Sequence, residues 1–222
     1  MKKNAKGVTV NIVNSGNQHT LGDIAARLGR HSYRKQYAEG RRTRAAVAMI
    51  MRELPDDLEI LFIERATHAS DPWSGHLAFP GGKVEPGEQA RQAAERETRE
   101  EIGLELETEH YLGRMSDIIG ANLPVRVSCF AYGICTHPFE PLFNDEVRDV
   151  FWVRLSDLCD SERHQTATVG FSGKLLEVPA IVLPPSDKPV LWGLTYRLIM
   201  QFLEIVRPAG CDRLHFSGDD VH

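Results

Sequence analysis

The sequence has no excess of basic residues and no long apolar run. Its net charge is −5, so no overall positive field would recruit nucleic acid. No apolar stretch reaches the roughly 20 residues that a transmembrane helix requires, and the N-terminus lacks the apolar segment of a signal peptide. We therefore expect a cytoplasmic protein with neither nucleic acid nor a membrane as its partner.

Cysteine is scarce and shows no pairing pattern. There is no C-x-x-C pair and no Cys/His cluster with zinc-ligand spacing. The four cysteines are Cys129, Cys135, Cys159 and Cys211. We predict free thiols, buried or at the surface, in a reducing compartment.

The remaining composition is that of an ordinary globular protein. A chain of 222 residues can bury one sizeable core. We predict a main domain over residues 41–207, an N-terminal extension with a helix over 1–40, and a polar tail over 208–222. An acidic protein that handles phosphates needs metal cations or local basic side chains to offset charge repulsion.

The first half of the chain predicts a helix and a β-hairpin. Thr20 and Asp23 form a capping-box pattern at the start of a helix over 20–37. Apolar runs at 45–51 and 58–63 predict two strands joined by a turn. The basic cluster at 41–44 is either a solvated strand entrance or a phosphate contact, with Arg44 as the candidate residue.

The second half predicts further strands and one more helix, which together indicate an α/β or α+β fold. We expect a polar loop over 160–173 and an amphipathic helix over 191–206. The predicted strands are at 111–116, 124–134, 147–155, and one or two short ones within 174–183.

The central stretch, 82–104, predicts a helix over 88–102 that ends at Gly103. An alanine stripe on one face of this helix continues, at steps of three and four, to Glu97 and Glu101. The stripe that packs on the sheet would therefore become a carboxylate face in the last turns.

Charge spacing separates these two glutamates from the others. Opposite charges four residues apart predict the pairs Arg91–Glu95, Glu95–Arg99 and Arg96–Glu100. Glu97 and Glu101 are like charges four apart, and we predict that they are unpaired and require a cation. Carboxylate ligands favour Mg²⁺ or Mn²⁺; the alternative is a solvated acidic helix with incidental spacing.

The stretch resembles the Nudix box, G-x5-E-x7-R-E-U-x-E-E-x-G-U, in which U is a bulky apolar residue. Thr98 departs from the pattern at the first U position. The matching residues are Gly82, Glu88, Arg96, Glu97, Glu100, Glu101, Gly103 and Leu104.

The resemblance implies a metal-dependent pyrophosphohydrolase with an α/β/α sandwich around a mixed β-sheet. Carried over by position, it implies a metal site whose residues also serve catalysis. Its metal ligands would be Glu97, Glu100 and Glu101 with the Gly81 carbonyl, Glu88 would support them, and Arg96 would orient the neighbouring glutamate.

Glu146 is the candidate general base in the same resemblance. It directly precedes the predicted strand at 147–155, where many members of the family place such a glutamate. The alternative is that it only caps a helix or strand.

A second resemblance, over about 44–203, is to the coenzyme A pyrophosphatase subgroup. Gly75 and the FPGG sequence at 79–82 match that subgroup's pattern, whereas Asp71 stands where an arginine is expected. Trp73 and His76 either line a substrate pocket or pack the loop, and we expect Trp192 in the core.

Two classes of function remain open. The first is an enzyme that cleaves coenzyme A or its thioesters, or else ADP-ribose, other nucleotide sugars or nucleoside triphosphates. The second is a non-catalytic Nudix module that senses a nucleotide. In both, the partner is a small molecule, and the N-terminal helix is a candidate contact for a homodimer.

Overall fold

The computed structural model describes residues 19–35, 42–67, 73–120, 124–134, 140–184 and 187–206. Within these ranges the chain forms one eight-stranded sheet, one three-stranded sheet and four α-helices. The larger sheet contains β1 (Thr43–Glu53), β2 (Leu58–Arg65), β3 (Leu77–Ala78), β4 (Gly81–Lys83), β5 (Tyr111–Arg114), β6 (Ile118–Ile119), β7 (Val125–Ile134) and β8 (Val147–Arg154). The smaller contains β9 (His164–Phe171), β10 (Lys174–Ile181) and β11 (Leu191–Trp192). The helices are α1 (Leu21–Arg30), α2 (Ala90–Ile102), α3 (Leu155–Cys159) and α4 (Gly193–Val206).

β1 is the central strand of the larger sheet because both of its faces are covered. Its apolar run is buried from Met49 to Met51 without alternation, as expected for a strand packed on two sides. It pairs in parallel with β7 and antiparallel with β2 and β4. The sheet is therefore mixed, in the order β3-β2-β1-β7-β5, and β8 extends it from β2.

Helices cover the two faces of this sheet. Ala93 and Ala94 of α2 pack in one core cluster with the alternate β1 residues Ala46, Ala48 and Ile50. The opposite face carries a second cluster that includes residues of α1 and α4, among them Ile24, Leu28, Leu198 and Phe202. These three layers confirm the predicted α/β/α fold class.

The N-terminal helix is shorter than predicted. The capping box is confirmed, since the Asp23 amide donates to Thr20 Oγ1 and the Thr20 amide donates to Asp23 Oδ2. The helix ends at Arg30 because His31 has extended dihedral angles of −74° and 118°. The last two residues of the predicted helix lie outside the described ranges.

The hairpin of β1 and β2 is confirmed by the pairing of Met51 with Ile60.

The predicted loop over 160–173 is wrong, since it contains a 3₁₀ turn and then β9. Polarity misled the prediction because the hairpin of β9 and β10 exposes side chains along both strands. Residues 172 and 173 both have positive φ angles and form its turn.

The predicted final helix also begins later than expected. Leu191 and Trp192 pair with β10 as a short strand, and α4 starts at Gly193.

Of the cysteines, Cys129 is a buried free thiol and Cys159 an exposed one; the other two, and Asp71, lie outside the described ranges. Among the described helices, none is both long and apolar enough to cross a membrane. The predicted domain boundaries stay predictions.

Candidate metal centre

The C-terminal end of α2 is tied to the loop that precedes β8. Gly103 ends the helix with a φ of 74°, and an added Cβ there would lie 3.2 Å from Leu142 Cβ. The Leu142 amide donates to the Ile102 carbonyl and the Asn144 amide to the Glu101 carbonyl, both at 3.1 Å. The loop therefore satisfies helix-end carbonyls that would otherwise lack partners.

Arg96 connects three glutamates of the box. Its Nε donates to Glu88 Oε1 at 2.9 Å, and its Nη1 donates to Glu97 Oε1 at 2.9 Å and to Glu100 Oε2 at 3.0 Å. The bonds to Glu88 and Glu97 raise the pKa of Arg96, and the bond from Arg96 lowers the pKa of Glu88. Its Nη2 also reaches the Lys83 carbonyl, at 3.2 Å. The guanidinium thus fixes the glutamates against the strand β4.

Glu101 is the most buried carboxylate of the site, at 2% exposure. Its Oε2 accepts a hydrogen bond of 2.8 Å from the Gly81 amide, and its Oε1 lies 3.9 Å from Arg65 Nη1. Burial raises the pKa of Glu101 to about 8, although the Gly81 amide and Arg65 oppose the shift. Without a cation, burial therefore favours the protonated form of this carboxyl group.

The prediction that Glu97 and Glu101 are unpaired is wrong. Glu97 is bonded by its neighbour Arg96, and Glu101 by a backbone amide of β4. Burial nevertheless raises the pKa of Glu97, and the charges of Glu100 and Glu146 reinforce that shift. The negative potential that a cation would relieve is therefore present. The hydrogen-bond partners of Glu97 and Glu101, however, are not residues four positions away on the helix.

The predicted surface pairs are partly confirmed. Arg91 Nε lies 2.8 Å from Glu95 Oε1, and Arg96 pairs with Glu100 as expected. Arg99 instead lies 3.9 Å from Glu105, while Glu95 accepts a further hydrogen bond from the Tyr132 hydroxyl. Thr98, the departure from the box, is fully buried and donates its hydroxyl to the Ala94 carbonyl at 2.7 Å. Its polar atom is thereby satisfied.

Two glycines allow the carboxylates to approach β4 closely. An added Cβ on Gly82 would lie 2.6 Å from Glu97 Oε1. Gly81 has a φ of 150°, and an added Cβ would lie 2.6 Å from the Val47 Cα. Only glycine fits at position 81, against the backbone of β1, whereas a side chain at position 82 would displace the Glu97 carboxylate.

Glu146 lies beside the same carboxylates. Its charge raises the pKa of both Glu97 and Glu101. Its carbonyl accepts from the Ala66 amide at 2.8 Å, and its amide donates to Asn144 Oδ1 at 2.9 Å. Asn144 therefore performs the local capping, and the exposed Glu146 carboxylate is placed next to the site. Its role as general base stays a prediction.

Sequence reasoning missed Arg65. This residue ends β2, where the register with β8 shifts between Glu64 and Arg65, and its guanidinium lies near Glu101. The only signal in the sequence is a basic residue at the end of an apolar strand. Its proximity to α2 depends on strand pairings between distant segments.

The structure does not bring the three predicted substrate residues into one cluster. Arg44 is exposed at the start of β1, and its carbonyl accepts from the Val84 amide, just after β4. The His76 ring lies 4.7 Å from the Trp192 ring and 6.1 Å from the Phe171 ring. Trp73 packs against the core cluster of the α1 and α4 face. Trp192 is half-buried in this aromatic group, so its assignment to the core was wrong.

The donor set fits a hard divalent cation. Across the described part of the chain, no three acidic, histidine or cysteine side chains converge as a ready ligand group. The glutamates are instead hydrogen-bonded to Arg96 and to the Gly81 amide. The chemistry still matches, since carboxylate and carbonyl oxygens are the ligands of Mg²⁺ and Mn²⁺. The missing Cβ at Gly82 leaves space for the Glu97 carboxylate.

Comparison with known proteins supports the box. An uncharacterized protein of Schizosaccharomyces pombe, C14C4.10c, is 29% identical over 187 residues, which cover 68% of this chain and 57% of that one. The human mitochondrial coenzyme A diphosphatase NUDT8 is 27% identical over 154 residues, which cover 67% of this chain and 63% of that one. The chain thus spans under two thirds of the length of these two relatives.

A solved structure shows the same fold. A MutT/nudix family protein from Enterococcus faecalis superimposes with a TM-score of 0.55 at 18% identity, covering 86% of this chain and 71% of that one. A family model described as the NUDIX domain matches residues 41–172, which include the whole box and Glu146. The predicted resemblance is confirmed, and the chain belongs to the NUDIX domain family.

Proposed function

We propose that this protein is a divalent-metal-dependent pyrophosphohydrolase that cleaves the diphosphate linkage of a nucleoside-diphosphate derivative. The observation that carries the proposal is the buried Glu101 carboxyl group, held by the Gly81 amide and surrounded by the charges of Glu97 and Glu146. Buried acidic groups crowded in this way are characteristic of functional sites rather than of stability. Family membership supplies the matching chemistry.

Glu97, Glu100, Glu101 and the Gly81 carbonyl would hold Mg²⁺ or Mn²⁺. When bound, the cation supplies charge neutralisation and Lewis acidity at the diphosphate. Arg96 keeps Glu97 and Glu100 in position through hydrogen bonds to both, and Glu88 anchors Arg96 in turn.

Two residues outside the box complete the site. The Arg65 guanidinium offsets negative charge beside Glu101 and attracts the diphosphate. The Glu146 carboxylate is exposed on the loop fixed to the end of α2. It accepts the proton of the attacking water as general base.

Coenzyme A or a related thioester is the favoured substrate. The support is the similarity to a protein named as a coenzyme A diphosphatase and the match of Gly75 and FPGG to that subgroup. ADP-ribose, other nucleotide sugars and nucleoside triphosphates are the alternatives. A nucleotide-sensing module without catalysis ranks below these, because every box glutamate is present. A cytoplasmic location and a homodimer through α1 stay predictions.

A substrate panel tests the proposal. Purified protein is incubated with coenzyme A, ADP-ribose, NADH, diadenosine polyphosphates and oxidised nucleotides, with Mg²⁺ or with excess chelator. We expect coenzyme A to give the highest kcat/KM, with 4′-phosphopantetheine as one product, and the chelator to abolish turnover. Binding of a nucleotide without turnover of any compound would contradict the enzyme and favour the sensing module.

A further inference from the structure

A buried ion network lies on the side of the sheet opposite α2. Lys188 Nζ donates to Glu64 Oε2 at 3.0 Å and to Asp149 Oδ2, and the Lys188 and Glu64 side chains are only 11% and 6% exposed. The exposed Arg148 pairs with the other Glu64 oxygen at 2.9 Å, so Lys188 is the buried partner of this carboxylate. The ammonium also lies 5.1 Å from the centre of the Phe151 ring. Burying such a pair costs desolvation energy that the attraction recovers only in good geometry. A buried pair of this kind is therefore weak evidence for added stability, and its other possible role is to fix one local conformation.

Glu64 directly precedes the arginine of the candidate site. The pairing of β2 with β8 shifts register between Glu64 and Arg65, so the backbone here departs from regular strand geometry. On the α2 side, Arg65 reaches Glu101, and the following Ala66 amide bonds to the Glu146 carbonyl. The position of this irregular segment therefore decides whether the Arg65 guanidinium lies near Glu101.

The segment that carries Lys188 is also connected to the Arg65 backbone through Trp192 and His76. Trp192, four residues later, contacts the His76 ring at 4.7 Å. The His76 carbonyl accepts a hydrogen bond of 3.0 Å from the Arg65 amide. The stretch 187–192 thus holds the Arg65 backbone on one side through Glu64 and on the other through His76.

We propose that Lys188 is a positioning residue for the diphosphate-cleaving site, acting through Glu64 on the placement of Arg65. This inference rests on the proposed function. The ion-pair partners of Lys188 are Glu64 and Asp149, neither of which belongs to α2. Its effect is to hold the β2 end at the register from which Arg65 reaches Glu101.

The first test is Lys188→Met, with Lys188→Arg as the conservative variant. Because small displacements of positioning groups are costly to catalysis, we expect Lys188→Met to lower kcat about tenfold with KM changed less than about twofold. Lys188→Arg should recover most of the loss, since its guanidinium can bond to both acids.

Arg52→Met is the matched control. Arg52 of β1 pairs through Nη2 with Oε2 of Glu59 at 2.6 Å. Glu59 is on β2, like Glu64, and at strand spacing lies about 17 Å from it. We expect this variant to lose some thermal stability while keeping wild-type kcat. If Lys188→Met leaves kcat as high as Arg52→Met does, the inference is overturned.

A double-mutant cycle separates positioning from general destabilisation. In an Arg65→Met background, Lys188→Met should change kcat by less than about twofold, because interacting sites are not additive. A tenfold effect that persists there would show that Lys188 does not act through Arg65.

Hydrogen exchange distinguishes failure of the inference from failure of the proposed function. Lys188→Met should accelerate exchange of the Arg65 and Ala66 amides, whereas Arg52→Met should not. Absence of wild-type turnover with accelerated exchange would refute only the enzyme. Unchanged exchange in Lys188→Met would refute the positioning role.

Discussion

Replacing Glu101 with glutamine is expected to lower kcat for diphosphate hydrolysis by at least about 1,000-fold, a barrier increase of about 4 kcal/mol. Glutamine keeps the shape and still accepts a hydrogen bond from the Gly81 amide. It cannot supply the negative oxygen that a hard cation requires. The measurement is kcat with saturating Mg²⁺ and the substrate selected by the panel.

Glu95→Gln is the control for this prediction. Glu95 lies on the same helix but bonds to Arg91 and Tyr132, away from the site, and its replacement should leave kcat near the wild-type value. Folding offers a second check, since Glu101→Gln removes a buried ionisable group and should not lower the melting temperature at pH 8. A Glu101→Gln enzyme within tenfold of wild type would contradict the ligand assignment.

Replacing Arg96 with methionine is expected to lower kcat about 100-fold, as loss of a residue that orients metal ligands typically does. The change removes the hydrogen bonds that hold Glu88, Glu97 and Glu100 together. Their mutual repulsion would then displace them, and the Mg²⁺ concentration for half-maximal rate should rise. Arg96→Lys should recover little, because one ammonium cannot reproduce the planar set of donors.

Arg91→Met supplies the comparison for Arg96. Arg91 is on the same helix and pairs with Glu95 four residues later, and its guanidinium covers the Tyr111 ring. We expect a small loss of stability and an unchanged metal requirement. Arg96→Met with the same kinetics as Arg91→Met would mean that Arg96 serves only the helix.

The sequence predicted the parts of the site that depend on local spacing. The box lies on one helix and one turn, so residues three and four apart necessarily share a face. The start of α1 was predicted for the same reason, because the capping box depends only on Thr20 and Asp23. The hairpin of β1 and β2 was likewise predicted from two apolar runs joined by a turn.

The remaining features depend on contacts between distant segments. Arg65 reaches Glu101 only because β2 and β4 both lie beside β1, and no local pattern indicates this. Glu97 was considered unpaired because only partners four residues away were weighed, whereas its partner is the adjacent Arg96. β9 was missed because its half-buried face carries only Ala167, Val169 and Phe171 within an otherwise polar stretch, which is a weak signal of alternation.

The direction of the Glu101 pKa shift gives the most direct measurement. The pKa of Glu101 is raised from its ordinary value of 4.5 to about 8. Between these two pH values the folded, metal-free protein favours a protonated Glu101, and this proton must be released when the carboxylate binds a metal. Metal affinity should therefore increase as pH rises towards about 8, and then level off.

The decisive measurement is calorimetric titration of Mn²⁺ at pH 7 in two buffers with different enthalpies of ionisation. We expect the wild-type protein to release about one proton per bound Mn²⁺, and Glu101→Gln to release none and bind at least about tenfold more weakly. Equal binding enthalpies in both buffers for the wild type, together with unchanged affinity in Glu101→Gln, would contradict the assignment of this carboxylate face as the metal centre.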